Sequence, residues 1–144
     1  MLCIGIDPPK GIAGWETETK KFTRIETVSF WDIIGKLKEY KFWNYNIKVY
    51  CEAPQLIKGI YRKRLKPGEK LEKVLWKAQS VGMNKMCAVL IIEYCELNNI
   101  EVVKVRPSKK TMSKLKSEPF KQLTGWTNQT SEHGRDAAML VYGL

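Results

Sequence analysis

The chain begins with a short apolar run, Leu2, Cys3, Ile4 and Ile6 around Gly5, which ends on Asp7 and is stopped by Pro8 and Pro9. A compact apolar run bounded by proline reads as a buried strand over 2–7, because proline cannot donate to a sheet ladder. Residues 11–17 (GIAGWET) and 21–28 (KFTRIETV) read as two further strands turning over at 18–20, so the first three strands form an antiparallel meander. Ser29 is placed to cap a helix over 30–41, whose apolar positions 30, 33, 34 and 37 share a face. Another strand over 47–52 (IKVYCE) again finishes on an acid, Glu52. A basic loop containing proline and glycine follows over 53–70. A long helix over 71–98 comes next, with Val74, Ala78, Val81, Gly82, Val89 and Ile92 as core candidates. Residues 100–105 return as a strand stopped by Pro107, and a last helix spans 131–142.

Three meandering strands followed by helical crossovers favour parallel pairing for the later strands. The expectation is an α/β domain built on a mixed five-stranded sheet flanked by helices. No repeat or linker divides the 144 residues, so they read as a single domain, 1–144. No apolar stretch approaches the roughly 18–20 residues needed to cross a bilayer, and no secretion signal opens the chain, so neither membrane insertion nor secretion is expected. Cys3, Cys51, Cys87 and Cys95 are scattered, and there is one histidine. That pattern disfavours structural zinc and fits reduced thiols in the cytoplasm.

Charge adds a partner to this picture. The chain carries 25 Lys+Arg against 15 Asp+Glu, a formal net charge of +10. Residues 58–73 hold seven basic and two acidic residues, and residues 104–121 hold seven basic and one acidic. These segments contribute +5 and +6, so the rest of the chain sums to −1. Two basic segments on a neutral body point to a polyanion, nucleic acid before any other. The plainer alternative is two solvated surface stretches.

The acids at element ends carry the candidate chemistry. Asp7 ends the first strand, Glu52 ends the fourth, and Asp136 lies early in the last helix, with His133 three and Glu132 four residues before it. Both spacings share a helical face with Asp136. Carboxylates brought close repel unless a cation sits between them, and carboxylate oxygens with an imidazole suit Mg²⁺ or Mn²⁺. Two such ions can activate water and stabilise the leaving oxygen in phosphodiester cleavage. Taken singly, each residue has a plainer role. Asp7 before proline starts a turn, Glu52 is a solvated strand end, and Glu132 is favourable first-turn charge. Asp136 partners Lys121 or the neighbourhood of Arg135, and His133 is structural. The joint pattern favours the site.

With those positions in view, the chain resembles the RuvC family of Holliday junction resolvases, in the ribonuclease H-like superfamily. Ile4-Gly5-Ile6-Asp7-Pro8 is similar to the family's first motif, Gly14-Trp15 to its second-strand Gly-aromatic pair, and Val49-Tyr50-Cys51-Glu52 to its second acidic motif. Gln79 to Ala88 resembles its small-residue helix, and Val103 to Lys110 its strand leading to proline and basic residues. His133-Gly134-Arg135-Asp136-Ala137-Ala138 resembles the C-terminal motif, so the likeness runs in order over essentially the whole chain. It implies a metal-dependent endonuclease that cuts four-way DNA junctions as a homodimer, leaving 5′-phosphate and 3′-hydroxyl ends. Asp7, Glu52 and Asp136 would ligate Mg²⁺, with Mn²⁺ as a substitute, His133 as fourth ligand and Glu132 as an alternative carboxylate. No nucleotide cofactor is implied.

Two departures stand out: Pro9 replaces the family's usual glycine, and the chain is short, which fits a phage or mobile-element version. The loop after Glu52 supplies candidate junction contacts in Lys58, Tyr61, Arg62, Lys63, Arg64 and Lys66. Tyr61 could stack on an unpaired base or lie on the surface. Lys109, Lys110 and Lys114 are candidate phosphate contacts. Trp76, Met83, Met86 and Ile91 of the long helix supply either a dimer face or core. The rival functions are a related nuclease acting on RNA, RNA–DNA hybrids or other branched DNA, and a catalytically inactive nucleic-acid-binding module.

Overall fold

Six consecutive buried positions make Leu2–Asp7 (β1) the central strand of the sheet. The computed structural model describes residues 1–57, 67–107 and 115–144. On one side β1 pairs antiparallel with Gly11–Glu16 (β2), which pairs antiparallel with Lys21–Thr27 (β3). On the other side it pairs in parallel with Ile47–Glu52 (β4), and β4 pairs in parallel with Glu101–Val105 (β5). The sheet order is therefore β3-β2-β1-β4-β5. The helices are Phe30–Phe42 (α1), Leu71–Leu97 (α2), Ser117–Thr124 (α3) and Glu132–Met139 (α4), with one 3₁₀ turn at Pro54–Leu56. This is an α/β fold with a five-stranded mixed sheet flanked by helices, as the element order predicts. No helix among the described residues is long and apolar enough to cross a membrane.

Alternation along the strands divides the core in two. Ile4, Ile6, Ile12, Val49 and Cys51 face α1 and α2, where they meet Ile33, Leu37, Ile91 and Cys95. Ala13 and Ile25 meet Phe120, Ala137 and Ala138 on the opposite face, and Cys3 and Trp15 meet Val141 there. Ser29 caps α1 as expected. Its hydroxyl accepts from the Asp32 amide at 3.2 Å, and the Asp32 carboxylate accepts from the Ser29 amide at 3.2 Å. All four cysteines are free; Cys3, Cys51 and Cys95 are buried and Cys87 is half-buried.

The long helix differs from the expected packing. Ile92 is buried and Val74, Val81 and Val89 are half-buried, but Ala78 and Gly82 are exposed. Ile91 is fully buried, whereas Trp76, Met83 and Met86 are exposed. The cause is that α2 is apolar around much of its circumference, so periodicity alone does not select the inward face. Ala88, Ile91, Ile92 and Cys95 dock its C-terminal half, and no buried residue lies in its first four turns.

On the other face α4 lies almost directly on strand backbone. A Cβ added at Gly5 would overlap the Ala137 carbonyl oxygen, and one added at Gly11 would overlap that of His133. Glycine is needed at both positions because α4 approaches closer than any side chain allows. Gly11→Ala should therefore push α4 away and cost at least the roughly 1–3 kcal/mol of overpacking, a fall in Tm of about 5–10 °C. Gly82→Ala, with open space around it, should raise Tm slightly in the same thermal melts.

Candidate active site

The parallel register of β1 and β4 sets Ile6 opposite Cys51. Asp7 and Glu52, the next residue on each strand, therefore finish side by side at one edge of the sheet. Both point to the face that α4 covers, since side chains alternate and Ile6 and Cys51 face α1 and α2. Asp7 is the one buried charged residue among those described, 7% exposed. The following turn contains the cis peptide Pro8-Pro9, and the Lys10 amide donates back to the Asp7 carbonyl at 3.2 Å.

The start of α4 closes over this edge. Ser131 caps the helix by accepting from the Gly134 amide at 3.0 Å, and its hydroxyl also bonds that of Thr27 at the end of β3. These ties place His133 Nδ1 2.7 Å from Asp7 Oδ2. Asp136 follows one turn later, where its charge acts on both Asp7 and Glu52. Arg135 anchors the helix from its other side. Its Nε donates to the Leu115 carbonyl at 2.7 Å and its Nη1 to the Thr130 carbonyl at 2.8 Å.

Electrostatics define the state of the cluster. Burial pushes the Glu52 carboxyl up to about 7, and its hydrogen bond to Asp7 and the charges of Asp7 and Asp136 add to that rise. Burial also raises Asp7, opposed by the hydrogen bonds from His133 and Glu52. Both shifts agree if Glu52 holds the proton and Asp7 is the ionised acceptor. An ionised Asp7 accepts from His133 as well, which fixes the proton on Nδ1 and turns Nε2 away from Asp7.

The structure brings Asp7, Glu52 and His133 together, with Asp136 near enough to perturb both carboxyls. Glu132 stands exposed at the first residue of α4. Lys121, an alternative partner for Asp136, pairs with Glu118 at 3.5 Å. Lys58, Tyr61, Arg62, Lys63, Arg64, Lys66, Lys109, Lys110 and Lys114 lie outside the described residues. Sequence reasoning gave Arg135 no structural task, because its acceptors are backbone carbonyls that carry no residue-type signal. It also missed Gln55, whose buried Oε1, three residues after Glu52, has no hydrogen-bond partner among the described residues.

Among the described residues, no three His, Cys, Asp or Glu side chains are already spaced as a metal cage. Asp7 is bonded to Glu52 and His133, so donor atoms face one another instead of a shared centre. The donor set itself fits a hard divalent cation. Two adjacent carboxyl groups, Asp7 buried and Glu52 half-buried, hydrogen-bonded to each other under the charge of a third, are what a cation relieves. No protein-family model, no curated protein and no solved structure matches the chain.

The retained proton has a measurable consequence. Folded Glu52 keeps a proton up to about pH 7 that the unfolded chain, with an ordinary value of 4.5, has already released. The folded state thus binds more protons between those values. The resulting stabilisation is complete below about pH 4.5 and is lost as pH rises through 7. In EDTA, the drop in Tm between pH 5 and pH 7.5 should be smaller in Glu52→Gln than in the parent by roughly 3–6 °C. Equal drops would show that Glu52 titrates normally.

Proposed function

We propose that this chain is a ribonuclease H-like, RuvC-type endonuclease that cuts four-way DNA junctions with divalent cations. The observation that carries the reading is the convergence of Asp7, Glu52 and His133 under α4, with Asp136 acting on them, at the ends of two adjacent parallel strands. The sheet order β3-β2-β1-β4-β5 and the two basic segments support it.

In this reading Asp7, Glu52 and Asp136 hold Mg²⁺, with His133 as the fourth ligand. The bound ions supply Lewis acidity and a lowered water pKa for attack on a phosphodiester. The chain's own residues do the rest. Glu52 would hold the ion as the carboxylate, having released its proton to solvent, and Asp7 steadies the His133 ring. The seam of α4 against Gly5 and Gly11 keeps His133 and Asp136 from drifting, and positioning of that kind supplies much of a catalytic rate.

Cutting two strands symmetrically needs two sites related by a two-fold axis. The outward face of α2 supports such a pairing. Trp76, Met83, Leu90 and Leu97 recur every seven residues and all are exposed, with Met86 between them. An exposed apolar stripe opposite the packed face offers a surface on which two copies could pair. Sedimentation velocity should show a dimer, and Met83→Glu with Leu90→Glu should leave a folded monomer. A monomeric parent would remove the dimer from the proposal.

The activity is tested by offering the protein a four-way junction, a linear duplex, an RNA–DNA hybrid and a flap, each with Mg²⁺. Paired symmetric nicks on the junction are expected. Asp7→Asn should slow them on the order of a hundredfold or more, since a metal ligand acts through several kcal/mol of charge stabilisation. Cutting of the hybrid alone would move the function to a related nuclease. Binding without cutting, unaffected by Asp7→Asn, would leave a nucleic-acid-binding module.

A further inference from the structure

Three aromatic rings stand in solvent within four residues at the C-terminal end of α1. Phe42 is 74% exposed, Trp43 69% and Tyr45 58%. They precede β4, so they lie at its start, the end of the sheet opposite Asp7 and Glu52. Apolar side chains of this size rarely gather on a surface without a ligand to cover them.

The segment is held in a defined shape. The amides of Trp43, Asn44 and Tyr45 donate to the carbonyls of Glu39, Lys41 and Tyr40 at 3.0, 3.1 and 3.0 Å, and Asn44 takes a left-handed conformation with φ 53°. Trp43 meets Phe42 edge-on at 5.1 Å between centroids, and Tyr45 meets Tyr40 edge-on at 5.7 Å. Edge-on packing leaves ring faces open while restraining the rings.

The surroundings select the ligand. Lys38 and Lys41 are exposed in the last turns of α1 and form no ion pair among the described residues, and the Arg24 guanidinium lies 5.6 Å from the Tyr40 ring centre. Asn44 falls between Trp43 and Tyr45 in the chain, and Asn46 follows them. The cores of protein–protein interfaces are depleted in lysine, whereas open rings interleaved with cations and amides suit stacked bases joined by phosphates. The formal charge of +10 adds long-range attraction for a polyanion.

We propose that Phe42, Trp43 and Tyr45, with Lys38 and Lys41, form a stacking platform for unpaired single-stranded nucleic acid, separate from the carboxylate cluster. The platform needs no divalent cation and does not depend on the chain being a nuclease.

The test measures binding of a dT15 oligonucleotide and of a duplex of equal length by fluorescence anisotropy in EDTA. Because the rings are exposed, Phe42→Ser with Trp43→Ser should melt like the parent. It should bind dT15 about tenfold or more weakly and the duplex within twofold, as expected when stacking alone is lost. Trp43→Phe should keep most of the affinity, and Lys41→Glu should weaken dT15 binding and flatten its salt dependence. Unchanged dT15 binding in the double variant would overturn the platform. So would equal losses for dT15 and duplex, or a change in sedimentation showing that the rings join copies of this chain. A platform that fails while junction cutting persists, or the converse, separates this proposal from the nuclease reading.

Discussion

Everything at the candidate site depends on how closely α4 lies against β1 and β2. The helix meets them through carbonyl oxygens at positions where each strand has no side chain, Gly5 under Ala137 and Gly11 under His133. Ala137 and Ala138 are themselves fully buried. Small residues on both sides remove the side-chain layer that normally separates helix from sheet, so the helix has little room to slide or roll. The chemistry-bearing residues of α4 follow directly from that contact. His133 and Asp136 stand over the strand end because the peptide groups between and beside them are already wedged against glycine. Ser131 and Arg135 then tie the helix at its start and along its flank.

That rigid placement puts charges where the protein alone does not welcome them. Asp7 and Glu52 are desolvated, adjacent and under the influence of Asp136, and burial raises both carboxyls, that of Glu52 to about 7. A purely structural core would gain from apolar residues at these positions, since buried unpaired charge is costly. Perturbed carboxyls gathered at the end of a well-packed strand mark a candidate functional site. The hydrogen bond to His133 orients the Asp7 carboxyl and opposes the rise that burial gives it.

Much of this was legible in the residues. An apolar run ending on an acid and a proline marks both a strand and its terminal carboxylate, and the pattern occurs in β1 and again, with Glu52-Ala-Pro, in β4. Parallel pairing of the two then brings the acids together without further information. Ser29 before an apolar face with Asp32 three residues on spelled out the cap of α1. The illegible parts share a cause. Along α2 apolar residues occur on every side, so nothing in the pattern says that Ile91 turns inward while Ala78 and Gly82 stay in water. Arg135 reaches the carbonyls of Leu115 and Thr130, acceptors that every residue owns, and only the folded path of residues 115–130 reveals them. On helical spacing Glu132 and His133 both share a face with Asp136, and only the family resemblance put His133 first as fourth ligand with Glu132 as the alternative carboxylate. The direction in which α4 crosses the sheet separates them, and direction is a tertiary property.

The burial of the cysteines gives the molecule an uneven thiol chemistry. Cys3, Cys51 and Cys95 are enclosed, and burial drives the Cys51 thiol far above its ordinary value and the Cys95 thiol to about 12. Since the thiolate is the reactive form, these positions hold almost none of it at neutral pH and are shielded from reagents as well. Cys87, half-buried on α2 beside the exposed Met86, is the thiol left open to alkylation. A single maleimide-bearing probe would therefore mark the outer side of α2 selectively in the unaltered protein.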